Sequence, residues 1–240
     1  MKVNFTDTKY WKKFQKNKLL FPLYKKYIGK HITNYFLTDR RNEIQHTGIE
    51  TIQEIEEALS SKGATFFLGN GSLLGIVRDG EMIKWDHDID YGIYIDEQFG
   101  WETLESSLRN LGFSKYKEFY FENELLTEQT YRRNNTYVDF FRHFETEDET
   151  YFYSYYKIMG EEYASENEQS VRTFNTVKLS GSQVMLIDGK QFHVPNEYEE
   201  YLAGLYTSTW RVPNPNWVAG SGPACRVLSG KKGFCKILEP

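Results

Sequence analysis

Leu68-Gly69-Asn70-Gly71-Ser72-Leu73-Leu74-Gly75-Ile76-Val77-Arg78, followed shortly by Ile83-Lys84-Trp85-Asp86-His87-Asp88-Ile89-Asp90-Tyr91-Gly92-Ile93-Tyr94-Ile95, decides how this chain of 240 residues is read. Ala64 to Leu68 is a short apolar run ending at a glycine, as a buried strand does, and Gly71 to Arg78 suits a turn feeding a short helix that stops at Asp79-Gly80. Ile89 to Ile95 is β-branched and aromatic, as a second strand would be.

Working outward, Tyr137-Val138-Asp139-Phe140-Phe141 reads as a third strand entered from the turn-prone Asn134-Asn135. Residues 47–60 place Ile49, Ile52, Ile55 or Glu56, and Leu59 on one helical face, closed by Gly63. Residues 101–111 and 197–206 also carry helical spacing, and Val184–Ile187 with Gln191–Val194 form a hairpin through Asp188-Gly189. Residues 8–37 read as helix interrupted near Pro22 and Gly29. The expected class is α+β: a small mixed sheet flanked by helices, with residues 1–60 as a basic helical extension and 61–240 as the main domain.

Three features in this frame carry chemistry. Gly69 and Gly71 let backbone approach a phosphate, and the helix that starts beside Ser72 offers free N–H groups and a positive dipole end. Asp88 and Asp90, two apart on a strand, project from one side, where two like charges call for a cation or a proton between them. Hard carboxylate ligands of this kind suit Mg²⁺ or Mn²⁺. Asp139, framed by Val138 and Phe140, is an expensive carboxylate to bury unless something neutralises it, and on a neighbouring strand it completes a triad. A calcium-binding loop is the competing reading, since Asp86, Asp88, Asp90 and Glu97 stand at its ligand positions. Tyr91 occupies the place its glycine requires, and no helix precedes it.

This ordered string resembles the signature of the LicD family, in the nucleotidyltransferase superfamily, which includes bacterial phosphocholine transferases and the animal proteins fukutin and fukutin-related protein. The likeness runs over roughly residues 60–217, strongest over 68–95, and Tyr91-Gly92-Ile93-Tyr94-Ile95 is closer to the fukutin side. Two departures stand out: Lys84 where the family usually has proline, and His87 where a third acidic residue is frequent. With side chains at 87 and 88 facing opposite ways, His87 is expected not to be a metal ligand. The resemblance implies a catalytic domain in which Asp88, Asp90 and Asp139 hold Mg²⁺ or Mn²⁺. It also implies that Gly69, Gly71, Ser72 and Arg78 hold phosphate oxygens, with Trp85 and Asp86 shaping the donor pocket. The implied reaction moves ribitol phosphate, glycerol phosphate or phosphocholine from a CDP-alcohol to a glycan or lipid-linked glycan, releasing CMP. Transfer of a nucleoside monophosphate with loss of pyrophosphate, and a non-catalytic glycan-binding role, remain the alternatives.

Charge adds a partner expectation. Residues 1–41 hold eleven Lys/Arg against two Asp, a balance of +9, while the remainder holds 18 basic and 32 acidic residues, a balance of −14. A basic arm on an acidic body suggests an anionic membrane or glycan as partner, and no nucleic acid. The N-terminus lacks the apolar run of a secretory signal, and Cys225 and Cys235 have no neighbouring ligand pattern. A cytoplasmic location with peripheral membrane contact is therefore expected.

Overall fold

The computed structural model describes residues 30–158 and 161–238. Most of the basic arm over residues 1–41, and with it the membrane-docking expectation, lies outside the described residues. Two of its cations do not. The Arg40 guanidinium sits 3.4 Å above the Tyr137 ring, and Arg41 Nε donates to the Trp85 carbonyl at 3.0 Å.

Helix α1 spans Lys30–Ser60 without a break. Residues 31–60 contain one glycine, Gly48, and no proline, so nothing divides the helix expected to start at residue 47 from the turns before it. Ile44, Ile52, Ile55 and Leu59 fall on one stripe and are fully buried in the same core as the sheet. The described part of the N-terminal extension thus packs on the main domain through α1. Gly63, at φ 71°, ends the run by a turn that most side chains avoid.

Strand β1 (Phe66–Leu68), helix α2 (Asn70–Asp79) and strand β2 (Ile89–Ile93) follow as the sequence leads one to expect. Gly80 closes α2 in the left-handed conformation. Then come α3 (Trp101–Asn110), β3 (Ser114–Phe121), β4 (Leu125–Arg133), β5 (Thr136–Glu145), β6 (Glu149–Tyr156) and β7 (Glu168–Val177). The chain continues with β8 (Ser182–Ile187), β9 (Lys190–Pro195), α4 (Tyr198–Tyr206) and β10 (Cys225–Ile237). Asp188 and Gly189 both take positive φ, the two-residue turn expected between β8 and β9.

The class is α+β, but the sheet is not small. Eight strands run in the order β1-β2-β5-β4-β3-β10-β7-β6. Because β6 also pairs with the end of β5, six antiparallel strands join into a ring, with β1 and β2 attached along β5. The strands not anticipated are β3, β4, β6, β7 and β10. Ser-Lys-Tyr-Lys-Glu-Phe-Tyr-Phe over β3 and the lysines and glycines of β10 give little apolar alternation. Ladder partners hold these segments, and a partner far along the chain leaves no local signal.

One face of the β2–β5 region turns to α1: Tyr91 is fully buried, its hydroxyl 3.5 Å from the Ile52 carbonyl and its ring stacked on Phe140 at 5.2 Å. The alternate residues face α4. Between the two lies His143, enclosed by Phe67, Phe152 and Tyr201, with Nδ1 3.0 Å from the Phe141 carbonyl. Burial pushes its pKa down to about 4. Below pH 6.5 the unfolded chain takes up this proton and the folded chain does not, so the contribution is complete above that pH and lost as pH falls toward 4. In urea titrations the stability advantage of wild type over His143→Gln should therefore shrink by about 3 kcal/mol between pH 7 and pH 4. An unchanged gap would mean that the ring is not buried neutral.

Candidate active site

Strands β2 and β5 run parallel, and their register puts Asp90 directly beside Asp139. Partners opposite one another in a ladder point to the same face, so two aspartates 49 positions apart in the chain stand side by side. The start of α2 fixes the first of them. Gly69 donates its N–H to the Asp90 carbonyl at 2.8 Å, and the Asp90 N–H donates to the Ser72 hydroxyl at 3.0 Å. Ser72 is fully buried, so its side chain positions Asp90 and does not itself face the cavity.

Asp139 has one buried carboxylate oxygen, Oδ1, with no hydrogen-bond partner. Its pKa is pushed up to about 7 by burial and then by the charge of Asp88, against a hydrogen bond from Thr130 and the nearby cations Lys117 and Arg40. Burial also raises Asp90 well above the carboxylate range, with Asp88, Asp86, Asp139 and Glu128 adding repulsion in that order. Asp86 rises for the same reason, burial first and Asp88 next. The sequence residues Asp86, Asp88, Asp90 and Asp139 thus meet in one acidic cluster.

Glu128 is the member that sequence reasoning missed. It is buried on β4, and burial followed by the Asp139 charge lifts its pKa well above the usual range. It lies within Leu125–Arg133, a stretch of Thr, Gln and Arg that reads as exposed until β3 and β5 flank it. The nearby Lys117 and Arg40 are cations, but the charge they oppose is larger. An orphaned carboxylate oxygen among mutually repelling acids is a donor set that fits a hard divalent cation.

The backbone before β2 corrects one expectation. Strand alternation begins only at Ile89, and Asp88 sits in a bend ahead of it. Residues 87 and 88 therefore do not face opposite ways. The His87 ring lies 3.6 Å from an Asp88 oxygen and 3.8 Å from an Asp86 oxygen, and the three groups together are spaced to share an ion.

The remaining sequence candidates surround the cluster. Gly71 is pressed against Asp86: a Cβ there would lie 2.2 Å from Asp86 Oδ2. No side chain caps α2, which leaves its first N–H groups for a ligand or water. Arg78 is buried and forms a two-pronged pair with its neighbour Asp79, the shorter contact being 2.6 Å. Half of its fork is thus committed before any substrate arrives. Trp85 is 42% exposed, large for an indole.

The Asp86, His87 and Asp90 side of the cluster opens on a cavity of about 470 Å³, with Asp139 and Glu128 behind it. Asn70, Gly71, Asp86 and Asp90 line it from α2 and β2, Arg41 and Trp85 from beside them, and Tyr206, Trp217 and Arg172 from α4, the segment after it and β7. Tyr206 and Trp217 rings lie 5.5 Å apart. No local pattern marks these last residues as site residues, because the fold alone carries them there.

Comparison with known proteins shows the family. Residues 63–197 match the model of the family described as LicD/FKTN/FKRP, nucleotidyltransferase domain. The chain is 30% identical over 186 residues to the Mus musculus ribitol 5-phosphate transferase FKRP, covering 75% of this chain and 34% of that protein. It is 24% identical over 174 residues to the Mus musculus ribitol-5-phosphate transferase FKTN, covering 72% and 35%. The chain thus spans about a third of the length of the curated relatives it matches. Among solved structures, ANT(2'')-Ia in complex with adenylyl-2''-tobramycin aligns with a TM-score of 0.40 at 16% identity, over 72% of this chain and 82% of that one.

Proposed function

The chain belongs to the LicD/FKTN/FKRP family, and we propose that it transfers a phospho-alcohol from a CDP-linked donor to a hydroxyl of a glycan, releasing CMP. The observation that carries this reading is the register of β2 and β5, which seats the cavity-lining Asp90 beside Asp139 and its buried, unpartnered oxygen. Asp88, Asp90 and Asp139 would hold Mg²⁺ or Mn²⁺, which when bound supplies charge neutralisation for the diphosphate. His87 and Asp86 stand next to them and steady the approach to β2.

The chain's own groups do the rest. Backbone N–H groups at Asn70 and Gly71 take phosphate oxygens at the uncapped start of α2. Arg41 and the free part of the Arg78 fork add cationic donors on the same side. Trp85 offers a flat face for the donor. The acceptor oxygen attacks the phosphorus that carries the alcohol; this P–O bond forms as the P–O bond to CMP breaks. The hydroxyl proton passes to a carboxylate oxygen of Asp139, the acid–base group beside the reacting centre. Positioning and charge compensation supply most of the rate, as in other phosphoryl transfers. Polyol phosphates are favoured as cargo by the names of the two relatives, both ribitol phosphate transferases.

A panel of CDP-ribitol, CDP-glycerol and CDP-choline tests the reading. In the presence of Mg²⁺, but not of EDTA, the polyol donors should raise the melting temperature by several degrees, since a ligand held only by the folded state stabilises it. With acceptor, label in the cytidine should appear in CMP. Cytidine label on the product together with released pyrophosphate would replace this reading with nucleotidyl transfer.

A further inference from the structure

The cavity has two chemically different walls. Its acids, Asp86 and Asp90, come from the segment before β2 and from β2 itself. The wall built by β6, β7 and the segment after α4 contributes no acid and one arginine, Arg172. Every other described arginine that lines this cavity is already engaged near the acids. Arg78 grips Asp79, and Arg41 donates to the Trp85 carbonyl and opposes the charge on Asp86.

Arg172 is different. Its Nε–H donates to the Ser154 hydroxyl at 3.4 Å and one N–H of NH1 to the Ala219 carbonyl at 2.8 Å. Its carbon centre lies 4.9 Å from the Tyr156 ring and 5.2 Å from the Phe174 ring. Among the described residues it has no carboxylate partner, and three of its five N–H donors have no acceptor. Gly220 makes this placement possible, because a Cβ at that position would fall 1.9 Å from Arg172 NH1. The guanidinium is therefore held by rings, a hydroxyl and backbone, with three donors uncommitted among the described residues and a cavity beside it.

We propose that Arg172, steadied by Ser154 and the Ala219 carbonyl, forms an anion subsite for a phosphate ester group of the substrate, separate from the site built on Asp88, Asp90 and Asp139. A planar fork with free parallel donors matches phosphate, and lodging it between aromatic faces preorganises it. The subsite deepens the transfer reading, on which its place in catalysis rests, by requiring a second phosphate recognised away from the acids. That phosphate comes either from the donor's diphosphate or from an acceptor that already carries one. It also disfavours a cationic cargo, such as choline, against this wall.

The subsite is tested first without catalysis. Glycerol 3-phosphate is titrated calorimetrically into the full chain in EDTA, comparing wild type with Arg172→Gln and Arg172→Lys. Wild type should bind saturably, R172Q should bind about tenfold to a hundredfold more weakly, and R172K should fall between them. Equal affinity of wild type and R172Q, or no saturable binding by wild type, would overturn the proposal. If R172Q loses its native melting temperature, R172K decides alone: weakened binding at a native melting temperature supports the subsite, and unchanged binding overturns it. Because EDTA removes any divalent ion, this result is independent of whether CDP-alcohols bind with metal. In turnover assays a rise in KM for the CDP-alcohol assigns the phosphate to the donor, and a rise in KM for the acceptor assigns it to the acceptor. No KM change in R172Q removes Arg172 from the reaction.

Discussion

Asp139→Asn and Asp90→Asn should each abolish transfer while making the metal-free protein more stable. The two effects have one cause. Asp139 is pushed up to about 7 by burial and by Asp88, so between about pH 4 and pH 7 the folded chain holds a proton that the unfolded chain has released. Stability therefore falls as pH rises through that window, and the penalty is complete above it. Asparagine keeps the shape and removes the charge. At pH 8 in EDTA, D139N should gain on the order of 2–4 kcal/mol over wild type, and should lose that advantage below about pH 4. Adding Mg²⁺ should stabilise wild type and leave D139N nearly unmoved, which separates ion binding from packing. Turnover should drop about a thousandfold or more, since the group is asked to supply several kcal/mol at the reacting centre. A variant that is less stable at pH 8 without metal, or that retains transfer, would show that these carboxylates are not a repelling set built around an ion.

Gly92→Ala should be a damaging single methyl in the site region. Gly92 lies on β2 two residues beyond Asp90, and an added Cβ would stand 2.4 Å from two ring carbons of Phe67 and 2.7 Å from Cε1 of His143. Phe67 is fully buried and His143 nearly so, packed against Tyr201 and Phe152, so neither ring has open space to enter. Overpacking of this kind costs about 3 kcal/mol, or roughly 6–12 °C in melting temperature for a chain of this size. Because β2 must shift to relieve it, Asp90 moves relative to Asp139 and Mg²⁺-dependent stabilisation should weaken as well. In the double variant with Phe67→Ala the two losses should sum to less than their separate values, since the obstructing ring is gone; an undamaged single variant would mean that β2 and β1 pack more loosely than their register requires. At Gly71 the obstruction is instead the tip of the Asp86 side chain, which can rotate away, so a methyl there disturbs the site more than the fold.

Much of the site was legible locally. The strand–turn–helix–strand string from Leu68 to Ile95, the glycines, and the aspartates at 88 and 90 lie within a few turns of one another. Hydrophobic period and turn residues are short-range properties, so they can be read without partners. Asp139 was legible as an oddity, a charge between Val138 and Phe140, and this oddity made sense only as part of a cluster. His87 was misread for a local reason: alternation was applied to a bend that precedes the strand.

The sequence by itself determined an α+β chain, the carboxylates at 88 and 90 at the entry to β2, the helix start facing them and the family. Tertiary structure alone decided the rest. It set the parallel register that seats Asp90 against Asp139, the ring of strands that brings Glu128 beside them, and the crossing of β7 and the segment after α4 that turns Arg172 and Trp217 into the same cavity. The division has a physical origin. Periodicity and turn chemistry act over a few residues, whereas strand pairing and the desolvation of charge depend on neighbours that only the closed chain supplies.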